Sequence, residues 1–190
     1  MYHKYVTEAI VLGSRERGEA DKLVALYTQD FGLVWARASA ARASYSKMRY
    51  GLAHYSRTRV SLVKGKRGWR LAGTQPLTSL TGCIEAQCAF ARTAALMLRM
   101  IIGEEQHEYL YQTLSNAHEA LTTSDVTHVP IVELVTVARV LHALGYLSPE
   151  AVGTSLFTHT LLAAEALAEA ENSKTPLLNS INRALSETHL

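Results

Sequence analysis

The sequence predicts an α+β protein in which an OB-type five-stranded β-barrel at residues 1–78 precedes an all-α helical-bundle domain at residues 79–190. Five short stretches of β-branched and apolar residues, separated by turn residues, occupy the first domain. A longer connection after the third stretch is typical of a small Greek-key barrel. From about Gly82 the apolar residues recur at spacings of three and four, which is the period of a helix with one buried face.

The strands are predicted from the turn signals between them. Their predicted ranges are Val6 to Leu12, Lys22 to Thr28, a third strand that begins at Leu33, Thr58 to Val63, and Trp69 to Thr74. The polar stretch 13–19 ends the first strand, and the basic turn 64–68 joins the last two. Because side chains alternate between the faces of a strand, Thr58, Val60 and Leu62 share one face.

The third strand has two different faces. The even-numbered residues from 34 to 40, one valine and three alanines, share a face that small apolar residues could fill, whereas Trp35 and Arg37 share the other. A tryptophan and an arginine two positions apart offer a stacking plane for a base and a contact for a phosphate. The alternative is that Trp35 closes one end of the barrel core.

Five helices are predicted in the second part of the chain. The first ends at Gly103, and its charge is confined to Glu85, Arg92 and Arg99, which predicts a central helix with one narrow exposed stripe. The others are predicted at Gln106 to Thr122, Ile131 to Leu144, Ser155 to Asn172 and Pro176 to Thr188. Gly145 is a typical residue to stop the third helix.

Several classes of protein are disfavoured by composition. No run of about 18 uncharged apolar residues is present, which argues against a membrane span. The first eight residues carry early charge and no apolar run, which argues against a secretory signal. Cys83 and Cys88 form no disulfide framework, and their spacing favours buried small residues over ligands of one metal ion. A cytoplasmic protein without a cofactor or metal is expected.

No motif indicates catalysis. Residues 13–18 have the glycine spacing of a phosphate loop but continue with Glu19 and Ala20 instead of the lysine and hydroxyl residue that such a loop requires. Glu16, Glu19 and Asp21 are clustered but give only a weak signal for two-metal nuclease chemistry. The chain is therefore expected not to be an enzyme, with a nuclease as the enzymatic alternative.

The distribution of charge is the most informative feature. The formal net charge of +2 hides a balance of +9 over residues 1–80 and −7 over residues 81–190. No Asp or Glu lies between Asp30 and Glu85, a stretch that holds ten Lys and Arg residues. Such an asymmetry suggests that the first domain binds a polyanion.

Aromatic residues are interleaved with these cations, which is the combination that single-strand-binding grooves use. The residues predicted to bind nucleic acid are Trp35, Arg37, Arg42, Tyr45, Lys47, Arg49, Arg57, Arg59, Lys64, Lys66, Arg67 and Arg70. The small, polar and basic segment 40–48 is predicted to be a mobile loop that closes over a strand. The alternative for the whole stretch is a merely solvated basic surface.

Several motifs resemble the family of the bacterial DNA repair protein RecO. They are GEADKLV at 18–24, YTQDFG at 27–32, AAR at 40–42 with SK at 46–47, and LHALGY at 141–146 with Pro149. The order and spacing match that family over residues 5–77 and more loosely in the helical part. The resemblance implies a recombination mediator that binds single- and double-stranded DNA, anneals complementary strands, and works with RecR to load RecA onto strands coated by single-strand-binding protein.

The resemblance also implies roles for particular residues. Arg37, Arg42, Lys47 and the hairpin 64–70 are implied to contact DNA. The helical domain is implied to dock the tail of single-strand-binding protein, for which the candidate cations are Arg92, Arg99 and Arg139. The chain departs from the family in lacking the four-cysteine zinc site of many relatives, in being shorter at the C-terminus, and in having Glu133-Leu134-Val135 where relatives often have basic residues.

Two other functions are compatible with the same residues. An RNA-binding OB-type protein would have the same composition, and an OB-type barrel could instead bind an acidic protein tail.

Overall fold

Five strands close into a barrel over the first part of the chain. In a computed structural model, which describes residues 3–43, 45–148 and 155–187, they are β1 Lys4–Arg17, β2 Asp21–Thr28, β3 Gly32–Ala38, β4 Arg57–Gly65 and β5 Gly68–Thr78. Their order around the barrel is β1-β2-β3-β5-β4, and β3–β5 is the parallel pair among otherwise antiparallel neighbours. A 3-10 helix at Lys47–Gly51 lies between β3 and β4. The predicted α+β class and OB-type barrel are confirmed.

The barrel interior is filled by the strand faces that alternation predicts. Thr58, Val60 and Leu62 of β4 point inward, and all three are fully buried. The even-numbered residues 34–38 of β3 are also buried in the core. The alternation ends there, because Ala40 lies in a turn at a φ of 53° and is only half buried.

The first strand is longer than predicted. The polar stretch 13–17, predicted as a turn, is the second half of β1 and pairs with residues 21–25 of β2. A bulge between Val11 and Gly13 accommodates the change of register. Polar residues are compatible with a strand here because their side chains are exposed or half-buried and keep their hydration. The turn is confined to residues 18–20.

Two compact units divide the chain: residues 1–80 with 100–111, and residues 81–99 with 112–190. The segment 100–111 therefore packs with the barrel, although it lies in the part of the sequence predicted to be helical. The predicted domain boundary at residue 78 stays a prediction.

Gly32, the first residue of β3, occupies a position that a larger residue cannot share. Its φ is 63°, and an added Cβ would lie 2.0 Å from the carbonyl oxygen of Glu105 in the segment 100–111. We expect Gly32→Ala to lower the free energy of unfolding by more than the roughly 1–2 kcal/mol of left-handed backbone strain, because a backbone atom must also move. Thermal unfolding measures the loss.

Gly18→Ala is the matched control for this prediction. Gly18 has a φ of 65°, and among the described residues no atom lies within 4 Å of an added Cβ. The two substitutions therefore share the backbone strain and differ in the steric conflict. Equal losses of stability would contradict the role assigned to the contact with Glu105.

Six α-helices follow the barrel within the described residues. They are α1 Ile84–Met100, α2 Glu108–Thr123, α3 Val129–Ala143, α4 Ser155–Thr158, α5 Ala164–Asn172 and α6 Lys174–Glu187. In the second unit α4, α5 and α6 pack against α3. The stretch 126–143 is long and apolar enough to cross a membrane, but 56% of it is buried in the structure, as expected for the core helix of a folded unit.

The prediction that α1 is the central helix is wrong. Ten residues of α3 are buried, whereas α1 exposes Ile84, Cys88 and Ala95 in addition to its charged stripe. The prediction of two buried cysteines is also wrong, since Cys88 is exposed and Cys83 is half-buried. Alanine and cysteine have small side chains, so exposing one of them costs less hydrophobic free energy than exposing a large apolar side chain, and they do not fix which face of a helix is buried.

The helix predicted at 155–172 is broken, which corrects the sequence analysis. It consists of α4 and α5, separated by the irregular residues 159–163. Arg139 of α3 explains the break, because its guanidinium donates over 2.8 to 3.2 Å to the backbone carbonyls of Thr160 and Leu161 in the irregular residues and of Leu156 in α4. These donors replace the amides that would satisfy the carbonyls in a continuous helix.

Candidate nucleic-acid interface

A groove of about 490 Å³ lies on the outer surface of the barrel. The outer faces of β2 and β3 form one side of it, and the turn between β4 and β5 forms the other. Its cations are Arg17, Arg37, Lys66, Arg67 and Arg70, and its apolar lining comes from Leu23, Trp35, Val63 and Trp69. In OB-type barrels the face of strands 2 and 3, with the turns beside it, is where oligonucleotides bind.

Strand pairing brings the groove's arginines together. Leu23 of β2 stands opposite Arg15 of β1 on one side and Arg37 of β3 on the other. Arg37 in turn pairs with Arg70 across the parallel contact between β3 and β5. Because neighbouring strands are about 4.8 Å apart, side chains that are distant in sequence form one row across four strands.

Arg37 is held in place by Asp21. Its Nε and one terminal nitrogen lie 2.7 and 2.6 Å from Oδ2 of Asp21, whose Oδ1 accepts the backbone N–H of Ala40 at 2.8 Å. The Ala40 amide, followed by the Arg37 guanidinium, holds the pKa of Asp21 below its usual value. The carboxylate is therefore ionised at neutral pH, and it fixes the orientation of Arg37 from one side.

The turn between β4 and β5 carries exposed cations. Gly65 pairs with Gly68 at its base, and Lys66 and Arg67 are exposed at its tip, followed by exposed Arg70 on β5. No carboxylate in the described ranges lies within 4.0 Å of these three cations. They can therefore contact phosphates without first giving up an ion pair.

Trp35 lies on the outer face of β3, half-buried and outside the barrel core. The rings that pack together at the edge of the core are those of Tyr5, Phe31 and Trp69, with centroids 5.3 to 5.6 Å apart. The alternative in which Trp35 closes the core is therefore not what the structure shows. Instead, the Arg15 guanidinium lies over the Trp35 ring in a cation–π contact, with its carbon 4.4 Å from the ring centroid.

Residues 1–79, which include every strand of the barrel, match the family described as Recombination protein O N terminal. The N-terminal part of the chain is RecO-like. A DNA repair protein RecO from Dehalococcoides mccartyi is 34% identical over 77 residues, which cover 40% of this chain and 30% of that protein. A DNA repair protein RecO from Desulfitobacterium hafniense is 26% identical over 146 residues, 75% of this chain and 52% of that protein. The resemblance found in the sequence motifs is confirmed. The matching residues span about a third of the first relative's length and about half of the second's.

Lys64 lies outside the groove of the RecO-like barrel. Its ammonium is 2.8 Å from a carboxylate oxygen of Glu104 and 5.0 Å from the centroid of the Trp69 ring. The hydrogen bond from Lys64 holds the pKa of Glu104 below its usual value. The Lys64 ammonium is thus bound by the segment 100–111 and is not free to contact a phosphate in the groove.

Arg57 and Arg59 also lie away from the groove. They project from the outer face of β4 and share the carboxylate of Glu8 on β1, at 3.5 and 3.1 Å. The strand register places Glu8 directly opposite Arg59. A phosphate that bound here would have to compete with this carboxylate.

The segment predicted to be a mobile loop folds into turns. Backbone hydrogen bonds join Ala43 to Ala40 and Ser46 to Ala43, and residue 44 lies outside the described residues. Arg42 lies 3.2 Å from a carboxylate oxygen of Glu16. Tyr45, Lys47 and Arg49 are exposed, and the guanidinium of Arg49 stacks on the ring of Tyr50. These residues form a second basic and aromatic surface, separate from the lining of the groove.

Arg15 and Arg17 belong to the site but were not among the predicted residues. They precede the stretch without acidic residues, beside Glu16 and Glu19, and the polar sequence around them reads as a loop. Their alternation with Ser14 and Glu16 is a period of two, which is the signal that could have placed both arginines on one face of a strand.

The three cations proposed for partner binding differ in accessibility. Arg92 is exposed and makes a two-point contact with Glu133, with both distances 2.6 Å. Arg99 is exposed in the last turn of α1, where a cation also stabilises the helix dipole. Arg139 is 1% exposed and holds the break between α4 and α5. Pro149, part of the resemblance, lies outside the described residues.

The residues that the structure describes contain no group of three or more His, Cys, Asp or Glu side chains that could hold a metal ion.

Proposed function

We propose that this chain is a non-enzymatic, DNA-binding recombination mediator in DNA repair, whose RecO-like barrel binds single-stranded DNA along the groove. The observation that carries the proposal is the five-cation groove, with Trp35 in its wall, on the face that OB-type barrels use for oligonucleotides. The names of the relatives, DNA repair protein RecO, indicate the same process. The proposed location is the bacterial cytoplasm, at the nucleoid.

The affinity is expected to come from the phosphates. Lys66, Arg67 and Arg70 neutralise backbone charge and release counterions, with little reading of base edges. Base edges that stay open can pair with a second strand, which is how binding leads to annealing. Double-stranded DNA is expected to bind through the same cations.

The later steps of a mediator need partners, and we assign these to RecR, RecA and single-strand-binding protein. Arg92 and Arg99 are the exposed candidates for an acidic tail of single-strand-binding protein. Arg92 would have to exchange the carboxylate of Glu133 for that of the tail. The burial of Arg139 removes it from this role.

A fluorescent single-stranded oligonucleotide, titrated with the protein at several salt concentrations, tests the proposal. If the five groove cations each neutralise one phosphate, log affinity against log salt is expected to slope at roughly −3.5. A complementary strand is expected to anneal faster with the protein than without it. Absence of binding at low salt would overturn DNA binding and favour a barrel that binds an acidic protein tail.

Two further measurements separate the remaining alternatives. Tighter binding to an RNA strand of matched sequence would indicate an RNA-binding protein, because the 2′-hydroxyl distinguishes the two strands. Magnesium-dependent cleavage of the oligonucleotide would indicate a nuclease.

A further inference from the structure

Arg15 covers the ring of Trp35 at the groove. Its guanidinium carbon lies 4.4 Å from the ring centroid. Arg15 is exposed, and no carboxylate of the described residues forms an ion pair with it. Trp35 is half-buried and lines the groove. A cation without a carboxylate thus rests on the aromatic surface that a base would need.

The surroundings of Trp35 leave room for this arrangement. Ala25 of β2 stands opposite Trp35, and Gly13 of β1 stands opposite Ala25, so the neighbouring positions carry small side chains. The indole is therefore not enclosed by bulky neighbours on β1 or β2. Arg15 and Arg37, two strands apart in the same row, provide cations near the ring.

We propose that Arg15 is a displaceable cover on Trp35: an unpaired nucleobase takes its place on the indole. The inference rests on the proposed function and adds where a base is held. It also gives the site a reason to prefer single strands, because a paired base in a duplex has no exposed face to place on the ring.

The relative strengths of the two contacts support the exchange. An exposed cation–π contact stabilises by a factor of roughly 2 to 5. Stacking of a base on an aromatic side chain contributes a factor of roughly 5 to 150 in affinity. The base therefore displaces the guanidinium with a net gain.

The chain offers a direct readout, since it contains only two tryptophans and Trp69 is buried. The emission that Trp35→Phe removes belongs to Trp35. Wild-type protein, Trp35→Phe and Arg15→Ala are titrated with a thymidine oligonucleotide and with an abasic oligonucleotide of equal length and phosphate number. Salt is held constant, and circular dichroism confirms that each variant is folded.

For the wild type we expect the thymidine strand to bind at least about fivefold tighter than the abasic strand and to quench Trp35. Trp35→Phe, which leaves a smaller aromatic ring for stacking, is expected to lower this ratio. Arg15→Ala is expected to weaken binding of both strands through the lost charge and to raise the ratio by roughly 2- to 5-fold, because no cover has to be displaced. Without DNA, Arg15→Ala is expected to make Trp35 more accessible to acrylamide.

The contrary outcomes are distinct. A ratio in Arg15→Ala that stays unchanged or falls would overturn the cover, since Arg15 would then not compete with the base. Equal binding of both strands by the wild type, with a steep salt dependence, would overturn the stacking site and leave the DNA-binding groove intact. Failure of both strands to bind at low salt would overturn the proposed function itself.

Discussion

The triple substitution Lys66→Ala, Arg67→Ala and Arg70→Ala is expected to weaken single-strand binding on the order of 100-fold at low salt. These three groove cations are exposed and have no ion-pair partner among the described carboxylates, so their whole charge is available to phosphates. About 1 kcal/mol for each contact gives the expected factor. The slope of log affinity against log salt should also become shallower by about 2, because three counterions are no longer released.

The matched control removes the same charge from the second unit. Arg99→Ala, Lys174→Ala and Arg183→Ala change two exposed residues and the half-buried Lys174. Lys174 and Arg183 form surface ion pairs with Glu171 and Glu187 that contribute little to stability. We expect this variant to keep the wild-type salt slope and to lose less than about threefold in affinity through the change in net charge. Similar losses in both variants would indicate a diffuse electrostatic attraction and no particular groove.

The barrel could be predicted from the sequence because its signal is local. The alternation of Val34, Ala36 and Ala38 with polar or larger residues defines a buried face whichever strands lie beside β3. The second half of β1 could not be predicted in this way. Its residues 13–17 are stabilised by pairing with β2 and have no apolar face of their own.

The groove could not be predicted because it depends on which strands are neighbours. The parallel pairing of β3 with β5 is what brings Arg37 beside Arg70. Ion pairs over long sequence distances are equally hidden: Glu8 binds Arg57 and Arg59, which are 49 and 51 positions away. The stretch without acidic residues is therefore neutralised in part by carboxylates from outside it, and the predicted cations are not equivalent.

Arg139 shows the same limit in the helical part. The family resemblance made Arg139 a candidate for partner binding, and arginine is usually at the surface. In the structure it is 1% exposed, because the irregular backbone beside α3 presents two carbonyls to the guanidinium and α4 presents a third. The sequence around Arg139 contains no sign of this backbone, which lies between α4 and α5.

Arg139→Met is therefore expected to lower the free energy of unfolding by about 3 kcal/mol. Methionine has a similar unbranched shape, so the main loss is of the hydrogen bonds to the carbonyls of Leu156, Thr160 and Leu161. The bond to Leu156 is buried, and the other two are partly buried. Unsatisfied buried carbonyls and the breaking of a buried polar contact each cost energy on this scale. Chemical denaturation followed by far-ultraviolet circular dichroism measures the loss, and proteolysis within residues 159–163 should become faster.

Arg92→Met makes the same chemical change at an exposed arginine. Its ion pair with Glu133 is at the surface, so we expect a loss below about 1 kcal/mol. The difference between the two variants isolates the contribution of the buried guanidinium from that of losing a positive charge. If Arg139→Met were as stable as Arg92→Met, the three carbonyl contacts would not hold the break between α4 and α5, and the break would have to be attributed to the sequence of residues 159–163 itself.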